Sequence, residues 1–170
     1  MKITVRELVT FAMLSAIMVV SKVVMEGFPN IHLLGTLVVA FTLTYRAKAL
    51  LPIYGYVFVN GLWEGFDLFG WLPEVYLWLI LWAAVMILPK NMPKTIAPVV
   101  YMLVSALHGL CFGTLYAPVY ALYSGFGWER AWLWILAGLP YDLLHGIGNF
   151  TLGTLIMPIS TLLKKLQRKM

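Results

Sequence analysis

The chain has 170 residues, 62% of them hydrophobic, 15% aromatic and only 11% charged, and its mean hydropathy of +0.88 lies outside the range of soluble globular domains. The net charge of +5 does not point to nucleic acid, because the cations sit at segment ends and are not interleaved on one face. The expectation is an all-α integral membrane protein, one domain over residues 1–170 with about six spans of roughly 20 residues and no extramembrane catalytic domain.

The first segment opens with Lys2, Arg6 and Glu7 and turns apolar at Leu8. Its charged start resembles a secretory signal. Lys22 and Glu26 close the run without an Ala-x-Ala pattern, however, so we read a retained helix over residues 8–25. Ala12, Ser15 and Ala16 form a small-residue face that lets another helix approach closely, for which packing within the chain is the plainer use. Lys22 is placed to snorkel or to pair with Glu26 at i,i+4.

A turn at Gly27-Phe28-Pro29-Asn30 leads to apolar runs over residues 31–45 and 49–65, split by Arg46 and Lys48. Pro52 lies in the first turn of the second run, where a missing N–H is tolerated. The stretch from Trp63 to Tyr76 holds Glu64, Asp67, Trp71 and Glu74 and no cation, and reads as an external mouth. A fourth span over residues 73–89 carries Trp78 and Trp82 one turn apart. A fifth, residues 96–122, is apolar apart from His108, contains Pro98 and Pro118, and gathers Tyr116 and Tyr120 toward its end. After a second aromatic connection, Tyr123 to Arg130, the last span covers residues 133–163, re-entering helix after Pro140 and ending before Lys164, Lys165, Arg168 and Lys169.

That last span carries the densest polar information. At about 100° per residue Gly138, Asp142, His145, Asn149 and Gly153 fall on one narrow stripe. An ionisable pair at membrane depth must face protein or a cavity, so Asp142 and His145 are candidate site residues, with Asn149 and the neighbouring Tyr141. The plainer alternative is that the stripe locks helices together by hydrogen bonding.

With six spans and both termini inside, the inner connections hold ten of the 12 basic residues, leaving only Lys22 and Arg130 outside. Glu26, Glu64, Asp67, Glu74 and Glu129 then fall outside, five acids against two cations, a mouth that favours a cationic or neutral ligand over a polyanion. No phosphate-binding Gly-x-x-x-x-Gly-Lys-Ser/Thr, His-Glu-x-x-His or Gly-x-Ser-x-Gly occurs, so neither ATP hydrolysis by this chain nor another enzymatic activity is expected. His108, His145 and Asp142 lack metal-ligand spacing, and no metal is expected. Cys111 is the single cysteine. Trp63, Glu64, Asp67, Trp71, Glu74, Trp78, Tyr116, Tyr120 and Tyr141, with Asp142, His145 and Asn149, suit a flat ring system held by aromatic faces and a few polar contacts.

Taken together, the chain resembles a substrate-binding S-component of the energy-coupling factor (ECF) transporters, the vitamin-uptake branch of the ABC systems. The resemblance rests on six spans in under 200 residues, on Ala12-x-x-x-Ala16 in the first helix, and on Pro140-x-Asp142-x-x-His145-x-x-Gly148-Asn149 followed by Pro158 and a basic end. It implies a multi-pass protein of a prokaryotic plasma membrane whose Ala12, Ser15 and Ala16 face docks on a transmembrane coupling subunit driven by two cytoplasmic ATPases. ATP is then used by the partners, with no cofactor in this chain. It also implies a vitamin-like substrate in an outer pocket formed by the loop after the first helix and by the fourth to sixth. A stand-alone carrier in which Asp142 and His145 relay protons is the alternative.

Overall fold

The computed structural model describes residues 3–125 and 127–168. Lys2 and Lys169, counted above among the inner cations, and Phe126 in the second aromatic connection lie outside the described residues. The described chain is helical: α1 (Val5–Met25), α2 (Leu34–Tyr45), α3 (Leu50–Glu64), α4 (Trp71–Ile87), α5 (Ala97–Leu110), α6 (Phe112–Ser124), α7 (Trp128–Leu152) and α8 (Ile156–Gln167). Tight 3₁₀ turns at Arg46–Ala49 and Gly153–Leu155 join α2 to α3 and α7 to α8. Four helical stretches are long and apolar enough to cross a membrane: Val5–Met25, Leu34–Glu64 (which includes the turn at Arg46–Ala49), Ala97–Ser124 (which includes the break at Cys111) and Trp128–Gln167; Trp71–Ile87 is a shorter apolar helix.

Local chemistry sets where these helices start and turn. Thr4 caps α1 in a reciprocal box, its hydroxyl accepting from the Glu7 N–H while the Glu7 carboxylate accepts from the Thr4 N–H at 3.0 Å. Arg46 adopts φ 54°, a left-handed conformation that costs a non-glycine residue about 1–3 kcal/mol, and there the chain folds back. The Trp82 indole N–H donates to the Arg46 carbonyl at 3.1 Å, and the Arg46 guanidinium donates to the Met86 carbonyl at 3.2 Å, so contacts with α4 hold the reversal. Past it, α3 runs alongside α1: the Ser15 hydroxyl donates to the Pro52 carbonyl at 2.9 Å and, farther along, Lys22 donates to Asn60 at 2.9 Å.

α2 is the axis of the bundle. Every residue from Leu34 to Thr42 is buried, as expected of a helix that is apolar on all sides, and it packs against α4, α5 and α8. Phe11, Leu14 and Met18 of α1, Tyr56 of α3, Trp78 and Leu81 of α4 and Ile156 of α8 complete the core around it. The outside is inverted relative to a soluble protein: Leu8, Val9, Met13, Ile17, Val20 and Val24 of α1 are all exposed, a surface that only hydrocarbon tolerates at this extent.

Several boundaries differ from the sequence reading. The run at 96–122 is two helices, broken at Cys111, whose φ −93° and ψ 1° depart from helical values. Helix does not re-enter after Pro140. α7 is already helical from Trp128 and carries Pro140 inside it, which a membrane helix accommodates when neighbouring helices satisfy the freed carbonyl. Lys22, read as snorkelling or as pairing with Glu26, reaches across to Glu64 of α3 at 2.6 Å.

The α1–α3 contact supplies a test. A Cβ at Gly55 would fall on the Ser15 hydroxyl, which two carbonyls, Phe11 and Pro52, hold in place. Gly55→Ala should therefore lower stability by about 1–3 kcal/mol. Adding Ser15→Ala should recover part of the loss, read as the unfolding midpoint in detergent; a double variant no better than Gly55→Ala would place the strain elsewhere.

Candidate functional site

Because α5 stops at Leu110 and α6 restarts at Phe112, the first N–H groups of α6 have no carbonyl one turn behind them. Asp142 of α7 fills that role from a neighbouring helix: its Oδ1 and Oδ2 accept from the Gly113 N–H at 3.0 and 3.1 Å. The carboxylate thereby faces the positive end of the α6 dipole, where an anion is favoured. A Cβ at Gly113 would collide with the same carboxylate, so a larger residue here would push Asp142 off the N–H it caps.

Asp142 is also part of the wall of a cavity of about 450 Å³. Phe69 from the α3–α4 connection, Phe112 and Tyr116 from α6, and Trp134, Gly138 and Tyr141 from α7 surround it, with Asn30 from the α1–α2 connection. Asn30 has φ 56°, a conformation that Asn tolerates better than most residues. The aromatic walls are braced: Tyr116 and Tyr120 both stack on Trp134, at centroid distances of 5.6 and 4.8 Å. The Tyr116 hydroxyl donates to the Phe69 carbonyl, and that of Tyr76 donates to Leu115 at 2.8 Å.

Below Phe112 lies a buried polar layer. The His145 ring sits 4.7 Å from Phe112 and 4.8 Å from His32, and Trp78 lies among His32, His108 and Phe112 at 5.8–6.5 Å. His108 Nε2 donates to the Leu77 carbonyl at 3.0 Å, which leaves Nδ1 of the neutral ring as an acceptor. Asn149 donates to the Ser105 carbonyl at 3.1 Å. Among the described residues, His32 Nδ1, Trp78 Nε1, Ser105 Oγ, His108 Nδ1, His145 Nε2 and Asn149 Oδ1 are buried without a hydrogen-bond partner. Such a concentration is costly in an apolar interior unless a polar guest or solvent completes it. No group of three or more His, Cys, Asp or Glu among the described residues is placed to hold a metal ion.

The predicted site residues therefore divide. Asp142, Tyr141 and Tyr116 line the cavity, and Tyr120 supports it through Trp134. His145, Asn149 and Trp78 belong to the buried layer beneath, each about 2% exposed or less. Glu64 and Glu74 are gathered elsewhere, around Lys22 and Asn60, with Tyr56 donating to Glu74 at 3.0 Å. Asp67 accepts from the N–H groups of Phe69 and Gly70 and shapes the turn into α4, while the Trp71 indole donates to the Val57 carbonyl at 2.8 Å. Trp63 is 76% exposed and lies outside the cavity. Of the proposed docking face, Ala12 and Ala16 are exposed, whereas Ser15 is buried against α3.

Sequence reasoning passed over Asn30, His32, Phe69, Phe112, Gly113 and Trp134 as site residues. Asn30 carried a signal, as a turn residue after Pro29, and so did Gly113, a glycine in an apolar run. The phenylalanines carried none, because an aromatic that lines a cavity is written in sequence like one that packs a core.

No protein-family model matches the chain, and neither a curated protein nor a solved structure matches it.

The Asp142–Gly113 contact predicts a graded response. Asp142→Ala strands a buried N–H and should cost about 1–3 kcal/mol of stability, while Asp142→Asn keeps an acceptor and should cost less. Thermal unfolding of the purified variants measures both, and equal losses would assign the effect to the charge in place of the acceptor.

Proposed function

We propose that this chain is a membrane-embedded binding subunit that captures a flat, ring-containing micronutrient of vitamin type, for uptake driven by partner ATPases as in the ECF transporters it resembles. The observation that carries this reading is the cavity of about 450 Å³, whose lining is mainly aromatic and also includes Asn30, Tyr141 and Asp142, the last held by the Gly113 N–H. Aromatic walls around a few polar anchors suit stacking on a planar ring with directional contacts at its edge.

The ligand's charge follows from where the mouth's carboxylates are spent. Glu64 and Glu74 share Lys22, Asp67 is tied to backbone, and Asp142 is the sole carboxylate lining the cavity among the described residues. A neutral or singly cationic ring is favoured over a polyanion, which would meet Asp142 with like charge.

In this reading the Leu34–Glu64 stretch crosses the membrane twice, by the reversal at Arg46, and the chain makes six crossings with both ends on the cytoplasmic side. The distribution of basic residues supports that orientation. The exposed Ala12 and Ala16 line a shallow groove of about 390 Å³ with Val20, Gly55, Phe58 and Val59, which supports close approach of a coupling helix on this side.

Two measurements test the proposal. Mass spectrometry of small molecules released from the purified chain, followed by titration of its tryptophan fluorescence, should identify a planar ring compound; tight binding of a multiply anionic vitamin alone would overturn the assignment. In cells, Ala16→Trp should abolish ATP-dependent uptake while leaving affinity within about threefold, because it fills the groove and not the cavity. Uptake by the purified chain in liposomes under a pH gradient alone would replace this reading by the proton-coupled carrier based on Asp142 and His145.

A further inference from the structure

At the opposite end of the bundle from the aromatic cavity, four cations from three separate segments converge. Arg46 at the reversal, Lys90 and Lys94 in the α4–α5 connection and Lys164 in α8 all line one pocket of about 280 Å³. Among the described residues no carboxylate lines it, and the remaining walls are Leu43, Met92, Ala97, Tyr101 and Met157. Four like charges around so small a volume repel one another, and in an interface of reduced dielectric that repulsion is screened less than in water. An anion relieves it.

Three further features favour an anion. Ala97, in the pocket wall, is the first residue of the 14-residue helix α5, so the positive end of that helix dipole borders the pocket, although the Ala97 N–H itself donates to the Pro93 carbonyl at 2.9 Å. The Arg46 Nε–H is buried without an acceptor, although Nη2 is satisfied by Met86. Arg46 is also one of two described non-glycine residues with positive φ, and backbone strain of this kind persists where the surroundings over-determine it.

We propose that this pocket holds the phosphate of an anionic phospholipid headgroup. Arg46, Lys90, Lys94 and Lys164 surround the phosphate, and Leu43, Met92 and Met157 accommodate the glycerol and the first methylenes. A soluble phosphate would use the basic rim and leave the methionine and leucine walls without a partner, whereas a lipid uses both. Basic pockets between membrane helices bind anionic headgroups on the same terms. The proposal requires membrane insertion but not any particular transported ligand.

Native mass spectrometry of the purified full chain, offered equal amounts of phosphatidylglycerol and phosphatidylcholine of the same acyl length, tests it. The wild-type chain should retain the anionic lipid preferentially. At about fivefold per lysine, Lys94→Gln with Lys164→Gln should reduce the preference by about 25-fold. Lys165→Gln with Arg168→Gln removes the same charge outside the pocket and should leave the preference within about twofold. No preference in the wild type, or equal losses in the two double variants, would overturn the proposal by showing only diffuse charge attraction. Because all four substituted side chains are exposed, folding should persist. The single change Lys90→Gln gives a second reading in the same direction, and its failure to weaken the preference would also count against the site. Thermal stabilisation by inorganic phosphate equal to that by the lipid, and lost in the same variants, would overturn the lipid source.

Discussion

One backbone amide left open by a helix break organises the aromatic end of this molecule. Where α5 gives way to α6 at Cys111, the Gly113 N–H points into an apolar interior with no carbonyl behind it, and the Asp142 carboxylate closes it from α7. A charged acceptor on a buried N–H is among the stronger hydrogen bonds available to a protein. It also fixes the rotation of α7. With Asp142 held against Gly113, His145 one turn on meets Phe112 and His32, and Asn149 two turns on reaches the Ser105 carbonyl. Cavity floor, histidine layer and helix register follow from one contact and the helical repeat.

The two ends of the bundle do different chemistry with the same scaffold. α2, buried from Leu34 to Thr42, packs against α4, α5 and α8 along its length. At one end the connections are aromatic, and their polar atoms are used against one another: Lys22 with Glu64 and Glu74, Asp67 with backbone, Tyr116 with Phe69. What faces the cavity is then mostly ring surface. At the other end the connections are short and basic, and the cations have fewer acids to meet. Lys48 pairs with Glu7 at 2.5 Å, while Arg46, Lys90, Lys94 and Lys164 remain around a common pocket. The two ends thus differ in character, one mostly ring surface and the other mostly basic.

The sequence by itself determined the class of the molecule and the composition of its most polar helix face. Hydropathy required helices facing hydrocarbon, because lipid leaves no other partner for backbone groups in a chain of this kind. The period of the α-helix put Gly138, Asp142, His145, Asn149 and Gly153 on one side, and that side is the one turned inward, with Asp142, His145, Asn149 and Gly153 buried. The turn at Gly27 to Asn30 was legible for a similar reason, since it depends on residues within four positions of one another, whereas the Thr4 cap, equally local, was not read and the helix was begun at residue 8. The tertiary structure alone decided everything that joins distant segments. It chose Glu64 over Glu26 for Lys22, set Phe112 and Trp134 in the cavity wall, broke the 96–122 run at Cys111, and drew cations more than 100 residues apart into one pocket. Periodicity reports which side of a helix a residue occupies; which helix lies opposite is set by how all the faces pack at once, and a single strand of letters does not carry that information.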